Sequence, residues 1–353
     1  MGKNREMNYD LLRVSAMVAV IVIHVSEFWV SGLPLYRTET SMMVNEIQAM
    51  TACIVKALCA FAVPCFVMLS GAFHLADERN CSAGYYYRKI FRKIGIHTLV
   101  FSVLYFLYRS IFCFIGEKGG KDEFMIVLFD LVTGEPMGHM GYLYRMVWIY
   151  LLTPVLLRLK NRNTELVIPI FSALCFLLAG TSALWTTESR LLLKLDIAQT
   201  IEYLGFFLLG YVIRKYMTRK STAGVVCIAM GFLAEAWFGI KQYSEIFLGI
   251  EVANPRILFI LSVTLIFSGF SMISVPERKL VSKLAGLSFI IYLVHQGVTD
   301  VLSKVLYHVI GPYYYTEMNC LIWIPVLTLV VLLISVVSTY VYNWVYDNFL
   351  CRR

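Results

Sequence analysis

Four polar residues, Asp10, Arg13, His24 and Glu27, stand in or beside one apolar stretch, Leu11–Val30. At 100° per residue, Arg13 and His24 differ by three turns plus about 20°. Asp10 lies about 40° to the other side of His24 and Glu27 about 60° from it, so all four share a stripe roughly 100° wide. A rise of 1.5 Å per residue separates Arg13 and His24 by about 16 Å, with Arg13 at a lip and His24 deep in the stretch. A neutral imidazole there can take a proton from a hydroxyl, or carry an acyl group itself. Glu27, one turn further on, either fixes the imidazole tautomer or is an ordinary interfacial residue. Asp10 is equally suited to capping the helix start. His24 also has a plainer reading, as a hydrogen bonder between packed helices.

The elements that must position this stripe are hydrophobic. Of 353 residues, 59% are hydrophobic and 15% charged, against about 45–50% and about 25% in soluble globular chains. Divided by the ~20 apolar residues that a crossing needs, the chain is expected to be an all-α polytopic membrane protein, one domain over 1–353. Apolar segments run at Leu11–Val30, Met50–Leu75, Ile94–Ile115, Gly141–Leu157, Leu166–Trp185, Thr200–Ile213, Ala223–Ile240, Ile257–Val275, Leu284–Val309 and Leu321–Trp344. That gives about ten transmembrane helices, the sixth being short. Met1–Arg5 is basic, but no small-residue cleavage site follows, so a retained anchor is expected. The loop around Gly116–Met140 carries Glu117, Lys118, Lys121, Asp122 and Glu123 before an apolar stretch, and could lie on the outer surface.

The net charge of +8 does not indicate nucleic acid. With the N-terminus cytoplasmic, the inner segments hold Lys3, Arg5, Arg13; Arg79, Arg88, Lys89, Arg92, Lys93; Arg158, Lys160, Arg162; Arg214, Lys215, Arg219, Lys220; Arg278, Lys279, Lys283; and Arg352, Arg353. These are twenty of the 31 Lys and Arg. Repeated at six segments, the bias follows the positive-inside rule and fits an even number of crossings with both termini cytoplasmic. The nine cysteines show no C-x-x-C or Cys/His spacing and read as small hydrophobes rather than a disulfide frame or a metal site.

Further candidates lie along the chain. Arg88, Lys89, Arg92 and Lys93 crowd one helix start, where cations oppose the helix dipole. Positive-inside orientation and lipid headgroups explain them; so does a phosphate cradle, since guanidinium pairs bidentately with phosphate oxygens. Pro64 and Gly71 suit either a bent helix beside a cavity or close helix packing. Ser70 could meet a carbonyl or only its own helix. His139 and Tyr142 fall at a helix end, where Tyr142 also suits an aromatic belt. Arg145 lies a turn deeper than a topology charge should. His295 is mid-helix, as a packing residue or a participant. Lys56, Arg109, Glu202 and Glu235 lie in or near apolar segments, with no partner evident from sequence.

Tyr9-Asp10-Leu11-Leu12-Arg13 followed by His24 resembles the opening signature of the acyltransferase-3 family of membrane acyltransferases. The resemblance continues through Val63–Phe73, Arg88–Ile94, His139–Tyr144 with Tyr150–Pro154, Tyr203–Gly210 and Ser288–His295, in the family's order. Gly141 departs from it, standing where the family usually has Trp.

The resemblance implies transfer of an acyl group, commonly from acetyl-CoA in the cytoplasm, to a hydroxyl of a cell-envelope glycan or lipid-linked precursor at a bacterial plasma membrane. It implies His24 and Glu27 as catalytic; Arg13, Arg88, Lys89, Arg92 and Ser70 on acyl-CoA; and His139, Tyr142, Arg145 and His295 at the acceptor. Its partners would be acyl-CoA, the glycan acceptor and membrane lipids, with no metal and no nucleic acid. A different class stays open. A similar membrane domain occurs in vancomycin-resistance serine racemases, so the runner-up reading has the stripe line the path of a transporter for a small solute such as an amino acid.

Overall fold

Among the described residues the long apolar runs fold as helices, one of them as two, because inside lipid the backbone must satisfy its own hydrogen bonds. The computed structural model describes residues 6–30, 46–115, 121–162, 166–181, 197–248, 256–311 and 318–350, all helix and short connections, with no strand among them. Lys3, Arg5, Glu117, Lys118, Arg352 and Arg353 lie outside the described residues, as do the side chains of Lys121, Asp122 and Glu123. In chain order the helices are α1 Met7–Val30, α2 Glu46–Leu58, α3 Ala62–His74, α4 Ala83–Ile90, α5 Ile96–Ile115, α6 Lys121–Thr133, α7 Gly141–Arg162, α8 Val167–Gly180, α9 Ile197–Tyr216, α10 Ser221–Leu248, α11 Arg256–Met272, α12 Lys279–Ile310 and α13 Cys320–Val345.

Among the described residues seven helical stretches are long and apolar enough to cross a membrane: Met7–Val30, Ile47–His74, Ala83–Ile111, Phe124–Lys160, Ser221–Glu245, Lys279–Ile310 and Cys320–Asn348. Helices α8 and α11 are apolar but shorter. Many large apolar side chains point outward, including Leu177, Leu233 and Leu321 at 66%, 71% and 64% exposure. On a water-soluble surface such a display would drive association; against lipid it carries no penalty. The chain is an all-helical integral membrane protein.

The second apolar segment, continuous in sequence, breaks at Cys59–Phe61 between α2 and α3. Pro64 has no N–H to give to the carbonyl four residues back, and it is tolerated in the first turn of a new helix. The break leaves Lys56 in the last turn of α2, where a cation suits the helix dipole. Between α4 and α5 a π turn spans Phe91–Gly95, and it holds Arg92 and Lys93.

The chain forms two compact units, one of residues 1–66 with 217–353 and the other of residues 67–216. In the first, α1 is held at both ends. Asn8 Nδ2 donates to the carbonyls of Phe270 and Ser271 at 3.1 Å each, satisfying acceptors that the end of α11 cannot bond internally. Trp29 Nε1 donates to the Met318 carbonyl at 3.0 Å. Between these pins Met17, Ile21 and Val25 are buried with Ala52, Ile291 and Leu327, so one face of α1 is fixed by packing and its polar stripe keeps a set direction.

In the second unit the end of α3 is capped from three other segments. Arg214 donates to the Ala72 carbonyl at 2.8 Å, Asn80 to His74 at 2.8 Å and Lys160 to Leu75 at 3.2 Å. Helices α3 and α9 touch backbone to backbone. A Cβ on Gly71 would collide with the Phe207 carbonyl, and one on Gly210 with the Met68 carbonyl. Gly71 therefore serves close packing.

Candidate functional site

In the first unit the α1 stripe is built into a row of charges. His24 Nδ1 lies 3.1 Å from Glu27 Oε2, and Glu27 Oε1 lies 3.1 Å from Lys56 Nζ of α2. The i, i+3 spacing of His24 and Glu27 puts them on one helix face, and the end of α2 delivers the cation. With Glu27 an ion-paired carboxylate it can only accept, so Nδ1–H donates and Nε2 carries the lone pair. That nitrogen can take a proton or attack a carbonyl.

His295 of α12 stands beside His24, the ring centroids 5.3 Å apart. Its Nδ1 donates to the Tyr292 carbonyl at 2.6 Å, and the residue is fully buried. Its lone pair is thus also on Nε2. Sequence alone could not bring the two imidazoles together, because 271 positions separate them. At the other end of the stripe Arg13 pairs with Asp10 at 3.2 Å, so Asp10 faces the guanidinium as well as the helix start.

The second unit holds the remaining candidates, in two places. At the end of α3, Ser70 Oγ lies 3.2 Å from the Tyr150 hydroxyl, and Tyr86 OH lies 2.9 Å from His74 Nδ1. The His74 and Tyr150 rings are 5.3 Å apart. His74 was not singled out from sequence; its signal was the i, i+4 spacing from Ser70. Lys89 donates to Asn80 Oδ1 at 2.9 Å and to Asp77 Oδ2 at 3.3 Å, so it is occupied within the protein. Asp77 also takes Arg79 Nε and Nη2 at 2.9 Å each; the Arg79 hydrogen bond, with Lys89 after it, holds this carboxyl well below the usual range. Arg88 and Arg92 are exposed and make no ion pair among the described residues.

The second place is the start of α7. His139 is buried with its ring edge-on to Tyr105 at 5.5 Å, and Tyr142 packs edge-on to Tyr203 at 6.0 Å. Arg145 reaches Glu135 at 3.5 Å, and a Cβ on Gly141 would fall 2.9 Å from Arg145 Nη1 and 3.0 Å from Glu135 Oε1. The room left by the missing side chain is taken by this ion pair. Arg109 pairs with Asp130 at 2.9 Å. Among the described residues no group of three or more His, Cys, Asp or Glu could hold a metal ion.

An all-helical chain with seven stretches fit to cross a membrane is a polytopic membrane protein, and the imidazole, carboxylate and ammonium paired within its apolar helices mark its candidate site. The acyltransferase-3 profile, an acyltransferase domain, matches residues 8–340, and the chain belongs to this family. No curated protein and no solved structure matches it.

Proposed function

We propose that the protein transfers an acyl group, commonly acetyl, from cytoplasmic acyl-CoA to a hydroxyl of a cell-envelope glycan or its lipid-linked precursor in a bacterial plasma membrane. The observation that supports this best is the Lys56–Glu27–His24 row, with links of 3.1 Å each. It leaves His24 Nε2 as a base of fixed tautomer inside an apolar helix.

In the direct route the acceptor oxygen attacks the thioester carbonyl while Nε2 takes its proton. The C–S bond then breaks, and the proton passes to the departing thiolate, giving CoA and the ester. In the covalent route Nε2 attacks first and the C–S bond breaks, the Nδ1 proton passing by way of Glu27 to the departing thiolate; the acceptor hydroxyl then displaces the acyl group, and its proton returns to the imidazole. Arg88 and Arg92 supply exposed guanidinium groups for the CoA phosphates. Arg13, with Asp10 beside it, is assigned to the acyl donor as well. Lys89 acts through Asp77 and Asn80, steadying the loop before α4. Ser70 is assigned to the donor side, and His139, Tyr142, Arg145 and His295 to the acceptor side.

The test is purified protein in lipid with radiolabelled acetyl-CoA. Wild type should hydrolyse or transfer the label. His24→Ala should lose this by about 10²–10⁴-fold, the usual contribution of a general base, while eluting as folded protein. Solute uptake by a protein that binds acetyl-CoA but never turns it over would overturn the proposal in favour of transport. Rapid quenching of the labelled protein distinguishes the two routes, since only the covalent one leaves acyl-His24.

A further inference from the structure

Ser70 and His74 stand one turn apart on α3, on one face and about 6 Å along the helix axis. Ser70 departs from the habit of hydroxyls in this chain. Ser26, Ser102, Ser110 and Thr153 each donate to the carbonyl one turn back, as serine and threonine within helices commonly do. Among the described residues the Ser70 hydroxyl meets only the Tyr150 hydroxyl, at 3.2 Å. Two hydroxyls carry two protons, and the bond between them uses one. Tyr150 is buried, where a bare donor is costly. Tyr150 therefore donates, and the partly exposed Ser70 keeps its own proton for another acceptor.

His74 is held in a similar way, and the mechanism above does not use it. The hydroxyl of the fully buried Tyr86 lies 2.9 Å from Nδ1, and the Tyr150 ring stands 5.3 Å from the imidazole. Nε2 bonds to nothing among the described residues and is open rather than enclosed. The direction of the Tyr86 proton leaves Nε2 as either a donor or an acceptor.

These two open atoms favour one chemical class. An amide has a carbonyl for the Ser70 proton, and a carbonyl and an N–H that suit either tautomer of His74. The pantetheine arm of CoA carries two amides. Their carbonyl carbons are about 5 Å apart along the extended chain at ordinary bond lengths, close to the rise between Ser70 and His74. We infer that Ser70 and His74 bind the two amides of this arm, His74 taking the one nearer the phosphates; the inference rests on acyl-CoA as the donor. Tyr86 of α4, which holds His74, stands two residues before Arg88, so one short helix serves both the phosphate end and the outer amide.

The probes are CoA, pantetheine, adenosine bisphosphate (the nucleotide end of CoA) and N-acetylcysteamine, which has a single amide. Each is titrated into the full chain in lipid nanodiscs by saturation-transfer NMR, with empty nanodiscs subtracted. Ser70→Ala and His74→Phe should each weaken CoA and pantetheine by about five-fold, the worth of one neutral hydrogen bond, and leave adenosine bisphosphate unchanged. Ser70→Thr and His74→Gln keep the hydrogen-bonding groups and should bind all four nearly as wild type does. On wild type alone, pantetheine should bind about five-fold more tightly than N-acetylcysteamine; equal binding would overturn the inference whatever the variants do. So would unchanged CoA affinity in Ser70→Ala and His74→Phe, or an equal loss of adenosine bisphosphate, which would mark a structural role. Wild type that binds neither CoA nor its two halves would overturn acyl-CoA as the donor, and this inference with it.

Discussion

Glu27 offers its two oxygens to two different partners, and this division decides what His24 can do. Lys56 takes one oxygen of the carboxylate at 3.1 Å, and a carboxylate paired in this way can only accept. The imidazole therefore turns Nδ1–H toward it and exposes the lone pair of Nε2. In Glu27→Gln the side-chain amide can present its N–H₂ to Nδ1 instead. The ring then takes the other tautomer, and Nε2 carries a proton where a base is needed. Orienting partners of this kind are worth about 10–100-fold, so Glu27→Gln should lower kcat by that factor with little change in KM for acyl-CoA. Lys56→Met should weaken the same step less, because Glu27 loses only its countercharge. Steady-state kinetics with labelled acetyl-CoA checks both; an unchanged kcat in Glu27→Gln would remove it from the machinery. Arg88 and Arg92 act on the other parameter. Replacing both by Gln removes exposed charges that make no ion pair among the described residues, so KM for acyl-CoA should rise at constant kcat, by about ten-fold or more for each charge-assisted hydrogen bond lost at about 1.5–3 kcal/mol.

At the scale of the element, α3 shows how much of this arrangement could be foreseen. That Val63–Phe73 is helical was legible within the single expected segment Met50–Leu75, and so was the choice for Gly71 between bending and packing; the break into two helices before Pro64 was not. The resolution was not legible: the facing atom is the Phe207 carbonyl, 136 positions away, and Gly210 answers from α9 against Met68. The same distance hid the caps. Arg214 and Lys160 count in the sequence as topology charges, yet both spend donors on the α3 carbonyls. Glu235 could not be paired because Ser262 lies 27 positions on in another helix. Local periodicity reveals a stripe such as Asp10–Arg13–His24–Glu27, whose members share one helix; it cannot reveal which stripes face each other. The Gly71 contact predicts a stability effect. Gly71→Val inserts three carbons into backbone contact, and overpacking of this kind costs about 1–3 kcal/mol or more. The melting temperature in detergent should drop by several degrees, while Gly84→Val, where a Cβ meets nothing within 4 Å, should leave it nearly unchanged.

At the scale of the whole molecule the side on which the chain ends turns on one short helix. Seven stretches qualify as spans by length and composition, and an odd number would put the two ends of the chain on opposite sides. The basic segments argue for ten. Helices α8 and α9 enter as a pair, so their crossing or not leaves the parity alone. α11 stands by itself between α10 and the cluster Arg278, Lys279 and Lys283, and it decides on which side that cluster lies. Its 17 residues rise about 26 Å, a few ångströms short of the roughly 30 Å hydrocarbon layer; local thinning absorbs such a mismatch at fractions of a kcal/mol per ångström. Leaving three cations on the outer face would oppose the orientation set by every other basic segment. The expectation is that α11 crosses. Paired reporters, one fluorescent only inside the cell and one active only outside, would be fused after Lys220 and after Lys283. Both fusions should report inside. Inside after Lys220 with outside after Lys283 would mean that α11 does not cross, and the ten-helix topology would fall.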